Sequence, residues 1–397
     1  MIEVDEAVAR IQSRLPHWGE QQVSLAQLSG SRVLDPLRAD RPFPPYDRVM
    51  MDGIALVHAR YAAGQRQFAV VATVAAGDPQ MSLDDPATCI EVMTGAVLPQ
   101  GADMVIPYEH LRLEQGYAHI THEMPRLPLA NIHRQGSDCD KDTVVLAAGS
   151  RLNGPRWGIA AAVGQTQLRC LAQPRIQVIS TGDELVEPDR DPLPHQVRRS
   201  NVYALRASLL LNGYASVTLS HVPDQPEAIV AHFQQAQTTA DLLIYSGGVS
   251  QGKFDYLPQL WQQLGVEQVF HGVRQRPGKP LWFGVNPRTQ MAVLGLPGNP
   301  VSSLVCLHRY FISVLAGSPP RYARLSEDIH FAPDLTYFAP VRVTHTPSAE
   351  VVAAPIRIQN SGELTALAES DGFVELPRQL SVFRQGECFR FFPWHCA

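Results

Sequence analysis

The sequence predicts a multidomain α/β protein built around a doubly wound, mostly parallel α/β domain. From about residue 174 to residue 317, apolar strand patterns alternate with helical patterns, as in parallel sheets covered by helices. The strands in that segment are continuously apolar, which is typical of strands buried on both faces. The flanking segments have the short, turn-rich pattern of β structure. We therefore expect β-rich parts on both sides of the α/β domain.

The N-terminal part is predicted to begin with a helix and to continue mostly as extended chain. Apolar residues at helical spacing predict a helix in "VDEAVARIQSRL", and the prolines of "RPFPP" exclude a helix and indicate a linker. From Phe68 to Thr121 the pattern predicts strands, with a hairpin turn at Gln115-Gly116. The chain between residues 131 and 164 is expected to be extended and then helical near Trp157.

The α/β segment has a clear order of predicted elements. They are strand "RIQVIST", helix "SNVYALRASLLLNGY", strand "ASVTLSHV", helix "QPEAIVAHFQQA", strand "DLLIYSGG", helix "YLPQLWQQLG", strands "PLWFGV" and "MAVLGLPGNP", and helix "VSSLVCLHRYFISVLAG". The first of these helices is expected to have Ser200 or Asn201 as its cap and to stop at Gly213. After residue 317, strand patterns such as "LTYFAPVRVTHT" and "GECFRFFPW" predict a small barrel or sandwich.

Composition excludes several classes of protein. With 45% hydrophobic and 18% charged residues the chain is ordinary globular, and a net charge of −5 argues against an electrostatic nucleic-acid binder. Six cysteines are scattered without a C-x-x-C pair, so zinc-finger and thioredoxin-like sites are not expected. The sequence starts without a signal-peptide pattern and has no apolar run near the roughly 20 residues that span a bilayer. We expect a soluble cytoplasmic protein that binds neither nucleic acid nor membrane.

Four unusual loops lie where an open α/β sheet binds ligands, beyond the carboxyl ends of its strands. They are Thr181-Gly182-Asp183-Glu184, Ser246-Gly247-Gly248, Arg276-Pro277-Gly278-Lys279-Pro280 just before its strand, and Pro297-Gly298-Asn299-Pro300. The last one enters a helix, whose free N–H groups and dipole suit a phosphate. Glycines allow close approach of the backbone, and Arg276 and Lys279 add positive charge. The plain alternative is that these residues only shape turns, but four such loops on one rim favour an anion pocket.

Carboxylates accompany these loops. Asp183 and Glu184 follow the first strand, Asp224 follows the second and Asp255 the third. Beside a phosphate they would repel the ligand unless a cation lay between them, and Mg²⁺ is held in this way by one or two carboxylates plus phosphate oxygens. The alternative for Asp224 and Asp255 is that each caps the helix that follows it, and both roles stay open.

The sequence contains neither a G-x-x-x-x-G-K-[ST] nor a G-x-G-x-x-G motif, and no Ser-His-Asp constellation is evident. The residues therefore predict a phosphorylated small-molecule ligand, bound with Mg²⁺ on a doubly wound domain. They leave the substrate open.

Six motifs, in order, resemble those of one family. "MDGIA", "MTGA", "STGDEL", "SGGVSQGKFDY", "RPGKP" and "LPGNPVSS" are similar to the signature of molybdopterin molybdenumtransferases, relatives of the gephyrin E domain. The resemblance covers essentially the whole chain. It implies an enzyme of molybdenum cofactor biosynthesis that converts adenylylated molybdopterin and molybdate to molybdenum cofactor and AMP, with Mg²⁺ required.

The resemblance also implies an L-shaped homodimer with four regions in each protomer. They are a linking domain of residues 1–48 with 131–172, a β-rich domain of residues 49–130, a molybdopterin-binding doubly wound domain of residues 173–318 and a C-terminal β-barrel of residues 319–397. Molybdoenzymes or other proteins of the cofactor pathway are the expected protein partners.

Residue by residue, the resemblance implies one composite site. Its cradle for the pterin or its phosphate consists of Ser246, Gly247, Gly248 and Ser250. The surrounding binding residues are Thr181, Gly182, Asp183, Arg276, Pro277, Gly278, Lys279, Pro297, Gly298, Asn299 and Ser361. The catalytic acids of the same chain, which are also the expected Mg²⁺ ligands, are Glu184, Asp224 and Asp255. Asp52 and Thr94 are expected to complete the site from the partner chain.

The sequence departs from the family pattern around the expected molybdate contacts. Ser137 replaces a usual acid, Gly272 a frequent lysine, and Arg276 a second lysine, which keeps the charge but changes its shape. Arg134, Arg276 and Lys279 are the cations on which molybdate is expected to land. Two alternatives therefore accompany the transferase: a non-catalytic scaffold, and a paralogue that acts on another anionic cofactor or oxyanion.

Overall fold

The computed structural model describes residues 1–25, 31–124, 127–250, 256–317 and 319–395. Contacts divide the chain into two compact units. The first consists of Met1–Gln21, Ser29–Ser31 and Leu171–Ala397, and the second of Gln22–Leu28 with Arg32–Cys170. The finer division into four regions stays a prediction.

Up to residue 171 the described chain is mainly β structure. Its helices are α1 (Val4–Arg14), α2 (His58–Ala62) and α3 (Gly154–Ala162). Its strands are β1 (Glu20–Ser24), β2 (Leu37–Arg38), β3 (Arg48–Val49), β4 (Gly53–Leu56), β5 (Gln67–Val74), β6 (Thr88–Val92), β7 (Met104–Pro107), β8 (Leu111–Glu114), β9 (Tyr117–Ile120), β10 (Ile132–His133), β11 (Val144–Leu146) and β12 (Gln167–Leu171).

The second unit is organised by a six-stranded sheet in the order β7-β4-β6-β5-β9-β8. All its pairs are antiparallel except β5 with β6. Successive residues of β4 enter different hydrophobic clusters, Ile54 one and Ala55 the other, so the sheet is covered on both faces. The predicted hairpin is confirmed: β8 and β9 are antiparallel, and Gln115 and Gly116 both have positive φ, as a tight hairpin turn requires.

From residue 172 onward strands and helices first alternate, and strands then dominate. The strands are β13 (Ile176–Thr181), β14 (Leu185–Val186), β15 (Val197–Arg198), β16 (Val217–Val222), β17 (Leu242–Ser246), β18 (Glu267–His271), β19 (Gln275–Arg276), β20 (Trp282–Val285), β21 (Ala292–Leu296), β22 (Arg321–Leu325), β23 (Ile329–His330), β24 (Thr336–His345), β25 (Val351–Pro355), β26 (Gly372–Leu376), β27 (Val382–Phe383) and β28 (Cys388–Pro393). The helices are α4 (Ser200–Leu211), α5 (Pro226–Ala236), α6 (Leu257–Gln263), α7 (Pro300–Leu307) and α8 (Ser313–Ala316), with a π-helical turn, His308–Ile312, between the last two.

The predicted doubly wound sheet is confirmed, in the order β16-β13-β17-β21-β20-β18. The first four strands are parallel, whereas β20 and β18 are antiparallel to their neighbours. One hydrophobic cluster unites the sheet with α1, α4 and α7, and another unites its opposite face with α5 and α6. Burial on both faces explains the uninterrupted apolar runs of β17 and β21, in which every residue is buried.

The C-terminal residues form a closed barrel of five strands in the order β24-β25-β22-β28-β26, and β24 and β26 close the ring by pairing with each other. Apolar side chains from all five strands fill its interior. The two-residue strand β19, which belongs to the preceding segment, adds to the edge of β24 in parallel. Closure removes the free sheet edges, so the predicted barrel is confirmed over the sandwich alternative.

Two sequence expectations were wrong in detail. Strand β18 was not predicted, because two of its five residues are well exposed and only Phe270 is fully buried. Helix α4 stops at Gly213 as expected, but its N-cap is Arg199, which makes no side-chain capping bond. No helix among the described residues is long and apolar enough to cross a membrane.

Candidate functional site

A cavity of about 820 Å³ lies at the carboxyl ends of the parallel strands in the first unit. Its wall consists of the four predicted loops, Asp224, strand β15 with the start of α4, and two residues of the barrel region, Leu335 and Ser361. The loop before β20 joins this rim because β20 runs antiparallel to β21, so its beginning lies beside the ends of the parallel strands. Ligand pockets of a few hundred to a thousand Å³ are typical of small-molecule sites.

The loop after β13 contributes Thr181, Gly182 and Glu184 to the cavity wall. Gly182 has φ +135°, and a Cβ on it would lie 2.6 Å from Glu184 Oε2, so the glycine leaves room for this carboxylate to fold back over the turn. Asp183 does not line the cavity but accepts a hydrogen bond from the backbone N–H of Asp224 at 3.3 Å. The first two strand ends are thereby joined.

The loop after β17 is built around two glycines with different reasons to be glycine. Gly247 has φ +104°, which favours glycine. It faces Gly298 so closely that a Cβ on Gly298 would be in van der Waals contact with the Gly247 Cα, at 3.6 Å. A Cβ on Gly248 would instead lie 2.6 Å from the Leu257 side chain, so this glycine is required by packing as well as by its φ of +70°. Both line the cavity together with Ser246 and Ser250.

The loop before β20 presents Arg276, Pro277, Gly278 and Lys279 to the cavity. A buried glutamine, Gln275, fixes its shape by donating from Nε2 to the Gly278 carbonyl at 3.0 Å and to Cys306 Sγ at 3.4 Å. Tyr310 donates its hydroxyl hydrogen to the Gln275 side-chain oxygen. Burial raises the pKa of the Cys306 thiol to about 12, so it stays protonated and acts as packing.

The loop after β21 leads through Pro297, Gly298 and Asn299 into α7, and all three residues line the cavity. Asn299 donates from Nδ2 to Ser361 Oγ at 2.7 Å, and the backbone N–H of Val301 donates to the Ser361 carbonyl at 3.2 Å. A serine of the barrel region therefore lines this side of the cavity, and the binding role predicted for Ser361 stays a prediction.

Charge in the cavity wall is predominantly positive. The described residues that line it include two acids, Glu184 and Asp224, and four cations, Arg198, Arg199, Arg276 and Lys279. Arg199 is paired with Glu187, and Arg198 lies 3.8 Å from Asp191. Within the described residues Arg276 and Lys279 have no ion-pair partner, and both are exposed. These two cations are therefore the ones free to meet an anion.

Asp52 and Thr94 lie together in the second unit. Asp52 Oδ1 accepts hydrogen bonds from the Thr94 backbone N–H at 2.6 Å and from Thr94 Oγ1 at 2.7 Å. These bonds lower the pKa of the Asp52 carboxyl below its usual value and keep it ionised. The pairing of the two residues supports a joint role, and their meeting with the cavity stays a prediction. Arg134 and Ser137 also belong to this unit and are bonded backbone to backbone at 3.1 Å.

Family models match nearly all of the chain. The models described as "MoeA N-terminal region (domain I and II)", "Probable molybdopterin binding domain" and "MoeA C-terminal region (domain IV)" match residues 2–164, 177–317 and 322–394. A molybdopterin molybdenumtransferase of Synechocystis sp. is 49% identical over 394 residues, which are 99% of this chain and 100% of that protein.

The chain belongs to the MoeA family.

Two more distant relatives agree with this assignment. The molybdopterin molybdenumtransferase of Bacillus subtilis is 28% identical to the chain over 400 residues, covering 97% of this chain and 92% of that protein. A crystal structure of the molybdopterin biosynthesis MoeA protein from Pyrococcus horikoshii superposes with a TM-score of 0.79 at 25% identity, covering 100% of both chains. The predicted family and the predicted fold class are thereby confirmed.

For a MoeA-family protein a magnesium site is expected, and the described residues meet its requirements in part. Glu184 and Asp224 line one cavity, and Asp224 Oδ1 lies 3.4 Å from Thr181 Oγ1. The third predicted ligand, Asp255, lies outside the described residues. Within the described ranges no group of three His, Cys, Asp or Glu side chains is close enough to hold a metal by itself. Two carboxylates nevertheless fit Mg²⁺, which takes its remaining ligands from water and substrate phosphates.

The competing cap role of Asp224 is not supported. Helix α5 has Gln225 as its N-cap, and the Gln225 side chain makes no capping bond. Asp224 lies one residue before this cap and lines the cavity.

Two residues at the start of α4 were missed as part of this MoeA-family site. The buried Arg199 donates from Nε to Ser180 Oγ at 2.9 Å and from Nη2 to the Ser220 carbonyl at 3.0 Å, which joins the ends of β13 and β16. Asn201 donates from Nδ2 to Ser246 Oγ at 3.0 Å and to the Gly298 carbonyl at 2.7 Å, which joins β17 to the loop after β21. In the sequence these residues stand at the start of a predicted helix, where a polar side chain also predicts an ordinary cap. The pattern alone therefore does not identify them as residues of the site.

Proposed function

We propose that this protein is a molybdopterin molybdenumtransferase that uses adenylylated molybdopterin and molybdate, releases AMP and requires Mg²⁺. The observation that supports this most strongly is the cavity at the strand ends. It combines two glycine turns, two unpaired cations and two acids in about 820 Å³. Such a cavity suits a ligand that is large, anionic and partly neutralised by a cation.

Binding of the phosphorylated substrate is assigned to the two facing glycine turns. Gly247 and Gly298 leave space beside the backbone that a side chain would fill, and Ser246 provides a hydroxyl beside them. The start of helix α7 contributes less than the sequence predicted, because Pro300 has no N–H and the Val301 N–H donates to the Ser361 carbonyl. The two glycine turns and the Ser246 hydroxyl would therefore orient the phosphate without forming a covalent bond to it.

Molybdate is proposed to arrive at Arg276 and Lys279. A second cavity of about 490 Å³ shares Arg276, Pro277 and Ser361 with the first, and Arg357 also lines it. An oxyanion held there would be adjacent to the substrate cavity and would meet guanidinium groups, which bind oxyanions in a bidentate manner. The arginine at position 276 therefore preserves the required charge.

Glu184 and Asp224, together with Asp255, are proposed to hold Mg²⁺. The ion would neutralise negative charge on the phosphoanhydride that releases AMP. The roles of the chain's own residues follow from this placement: Thr181 orients the Asp224 carboxylate, and Gly182 leaves space for that of Glu184.

The assembly is proposed to be a homodimer in which Asp52 and Thr94 complete the site of the partner chain. Their mutual hydrogen bonds keep Asp52 ionised, as an acid facing a cation-containing site needs to be. Association with molybdoenzymes or other proteins of the cofactor pathway is proposed as well. The five cysteines among the described residues are free, which supports the proposed cytoplasmic location.

The test is AMP release from adenylylated molybdopterin in the presence of Mg²⁺ with molybdate or tungstate. The proposed enzyme releases AMP only when the oxyanion and Mg²⁺ are both present. Tight binding of the substrate without AMP release would instead indicate the scaffold, and release that depends on a different oxyanion would indicate the paralogue.

A further inference from the structure

Asn201 occupies a central position at the rim of the cavity. It lies in the first turn of α4, and its side-chain amide bridges the two facing turns, from Ser246 Oγ at 3.0 Å to the Gly298 carbonyl at 2.7 Å. Ser246 is only 5% exposed and lines the cavity. The amide thus contacts both turns that are proposed to hold the phosphate.

The chemistry of its partners determines how the amide of Asn201 is oriented. The Gly298 carbonyl can only accept a hydrogen bond, so the group facing it must be the NH₂ rather than the oxygen. The second hydrogen of the same NH₂ is directed to Ser246 Oγ. Asn201 Oδ1 is buried and has no hydrogen-bond partner within the described residues, so the opposite orientation would gain nothing and would place two oxygens together.

This orientation determines what the Ser246 hydroxyl can do. A hydroxyl has one hydrogen to donate and two lone pairs to accept with, and Asn201 occupies one lone pair. Because the bond to Asn201 does not use it, the hydroxyl hydrogen remains available to a ligand in the cavity. A donor is what an anionic oxygen requires.

We infer that Asn201 is a positioning residue that turns Ser246 into a hydrogen-bond donor toward the anionic ligand. This rests on the proposed function, because it assumes that the ligand presents an anionic oxygen to the Ser246 turn. The bridge also sets the separation between Ser246 and Gly298. An acid at position 201 would reverse the polarity: its carboxylate would accept the Ser246 hydrogen and withdraw it from the ligand.

The experiment measures the dissociation constant of molybdopterin for wild type, Asn201→Asp, Asn201→Ala, Ser246→Ala and the two double variants. Asn201→Ala leaves the Ser246 hydrogen available, so we expect a loss of about threefold, as for one neutral hydrogen bond. Asn201→Asp captures that hydrogen, so we expect a loss of about 30-fold, as for a hydrogen bond to a charged group. In the Ser246→Ala background the Asn201→Asp loss should shrink to about threefold, the remainder being charge repulsion.

Asn299→Asp is the matched control, since it places the same charge in the same cavity but is bonded to Ser361. Its loss of affinity should be the same with and without Ser246. The inference is overturned if Asn201→Asp and Asn201→Ala weaken binding equally, or if the Asn201→Asp loss is unchanged in the Ser246→Ala background. If Asn201→Asp does not fold, the Asn201→Ala cycle decides: its loss must be smaller in the Ser246→Ala background, where only the bond to the Gly298 carbonyl is removed, and an equal loss in both backgrounds overturns the inference. Failure of wild type to bind molybdopterin would refute the proposed function instead.

Discussion

At the scale of the residue, Gly247 allows a direct test of the proposed binding turn. Gly247→Val should abolish molybdopterin binding, because a branched side chain would point into the space between the two turns and would also be strained at φ +104°. Gly386→Val is the matched control, since Gly386 has φ +88° and no atom within 4 Å of a built Cβ. Both variants should lose stability through the strained backbone, about 1–3 kcal/mol each, but only the first should lose affinity in a binding titration. Unchanged affinity of Gly247→Val would make the loop an ordinary turn.

Asp224 is expected to act on Mg²⁺ rather than on the fold. Because Asp224 lines the cavity and is not the N-cap of α5, Asp224→Ala should raise the Mg²⁺ concentration needed for half-maximal AMP release by about tenfold or more, a larger effect than its effect on the thermal midpoint. Asp241→Ala is the control: Asp241 accepts three hydrogen bonds from Arg175, so its loss should lower the midpoint and leave the Mg²⁺ dependence unchanged. A large fall in the midpoint of Asp224→Ala without any effect on Mg²⁺ would contradict the assignment.

The pKa of Asp52 provides a further test at this scale. Thr94 donates two hydrogen bonds to the Asp52 carboxylate and lowers its pKa below the usual 3.8. Thr94→Val removes the hydroxyl donor, so the pKa should rise toward that value in a carboxyl-detected NMR titration. The lowered pKa stabilises the folded protein at pH values above 3.8, and this contribution disappears as the pH falls through the lowered value. The stability difference between wild type and Thr94→Val should therefore be present near neutral pH and vanish in acid. An unchanged pKa of the Asp52 carboxyl in Thr94→Val would exclude the Thr94 hydroxyl as a cause of the lowered value.

At the scale of the element, the loop before β20 depends on a buried polar network. Gln275→Leu would leave the buried Tyr310 hydroxyl without its acceptor and remove one of the donors to the Gly278 carbonyl, at a cost of about 2 kcal/mol or more in a urea unfolding experiment. Gln262→Leu, at an exposed position of α6, should cost less than about 0.5 kcal/mol. Similar values for the two variants would show that the network does not stabilise the loop.

The sequence predicted the elements well where one physical requirement dominated. Short uninterrupted apolar runs bounded by turn residues are typical of strands covered on both faces, so the sheet of the first unit was predicted correctly. Strand β18 was missed because a half-exposed edge strand has no such signature. The cap of α4 was mistaken because Asn201 can satisfy either a local backbone N–H or a distant loop, and only the three-dimensional arrangement selects between them.

At the scale of the whole molecule, the proposed shared site can be tested by mixing subunits. Asp52→Ala and Asp224→Ala should each be inactive alone. Random exchange makes about half of the dimers mixed, and each mixed dimer has one intact and one doubly altered site, so about one quarter of wild-type AMP release should return. Native mass spectrometry would confirm the exchange. Confirmed mixed dimers without regained activity would mean that both acids serve a site within one chain.

The barrel has a consequence for the local stability of the cavity. Strand β19 contains Arg276, and it is hydrogen-bonded to β24, the strand that closes the barrel. The loop that carries Arg276 and Lys279 therefore cannot move away from the cavity without breaking the main-chain bonds between β19 and β24. Amide hydrogen exchange at Arg276 should accordingly follow the opening of the barrel rather than that of the parallel sheet. The barrel region, which contributes Leu335 and Ser361 to the described lining, thereby also stabilises the position of the loop that carries Arg276 and Lys279.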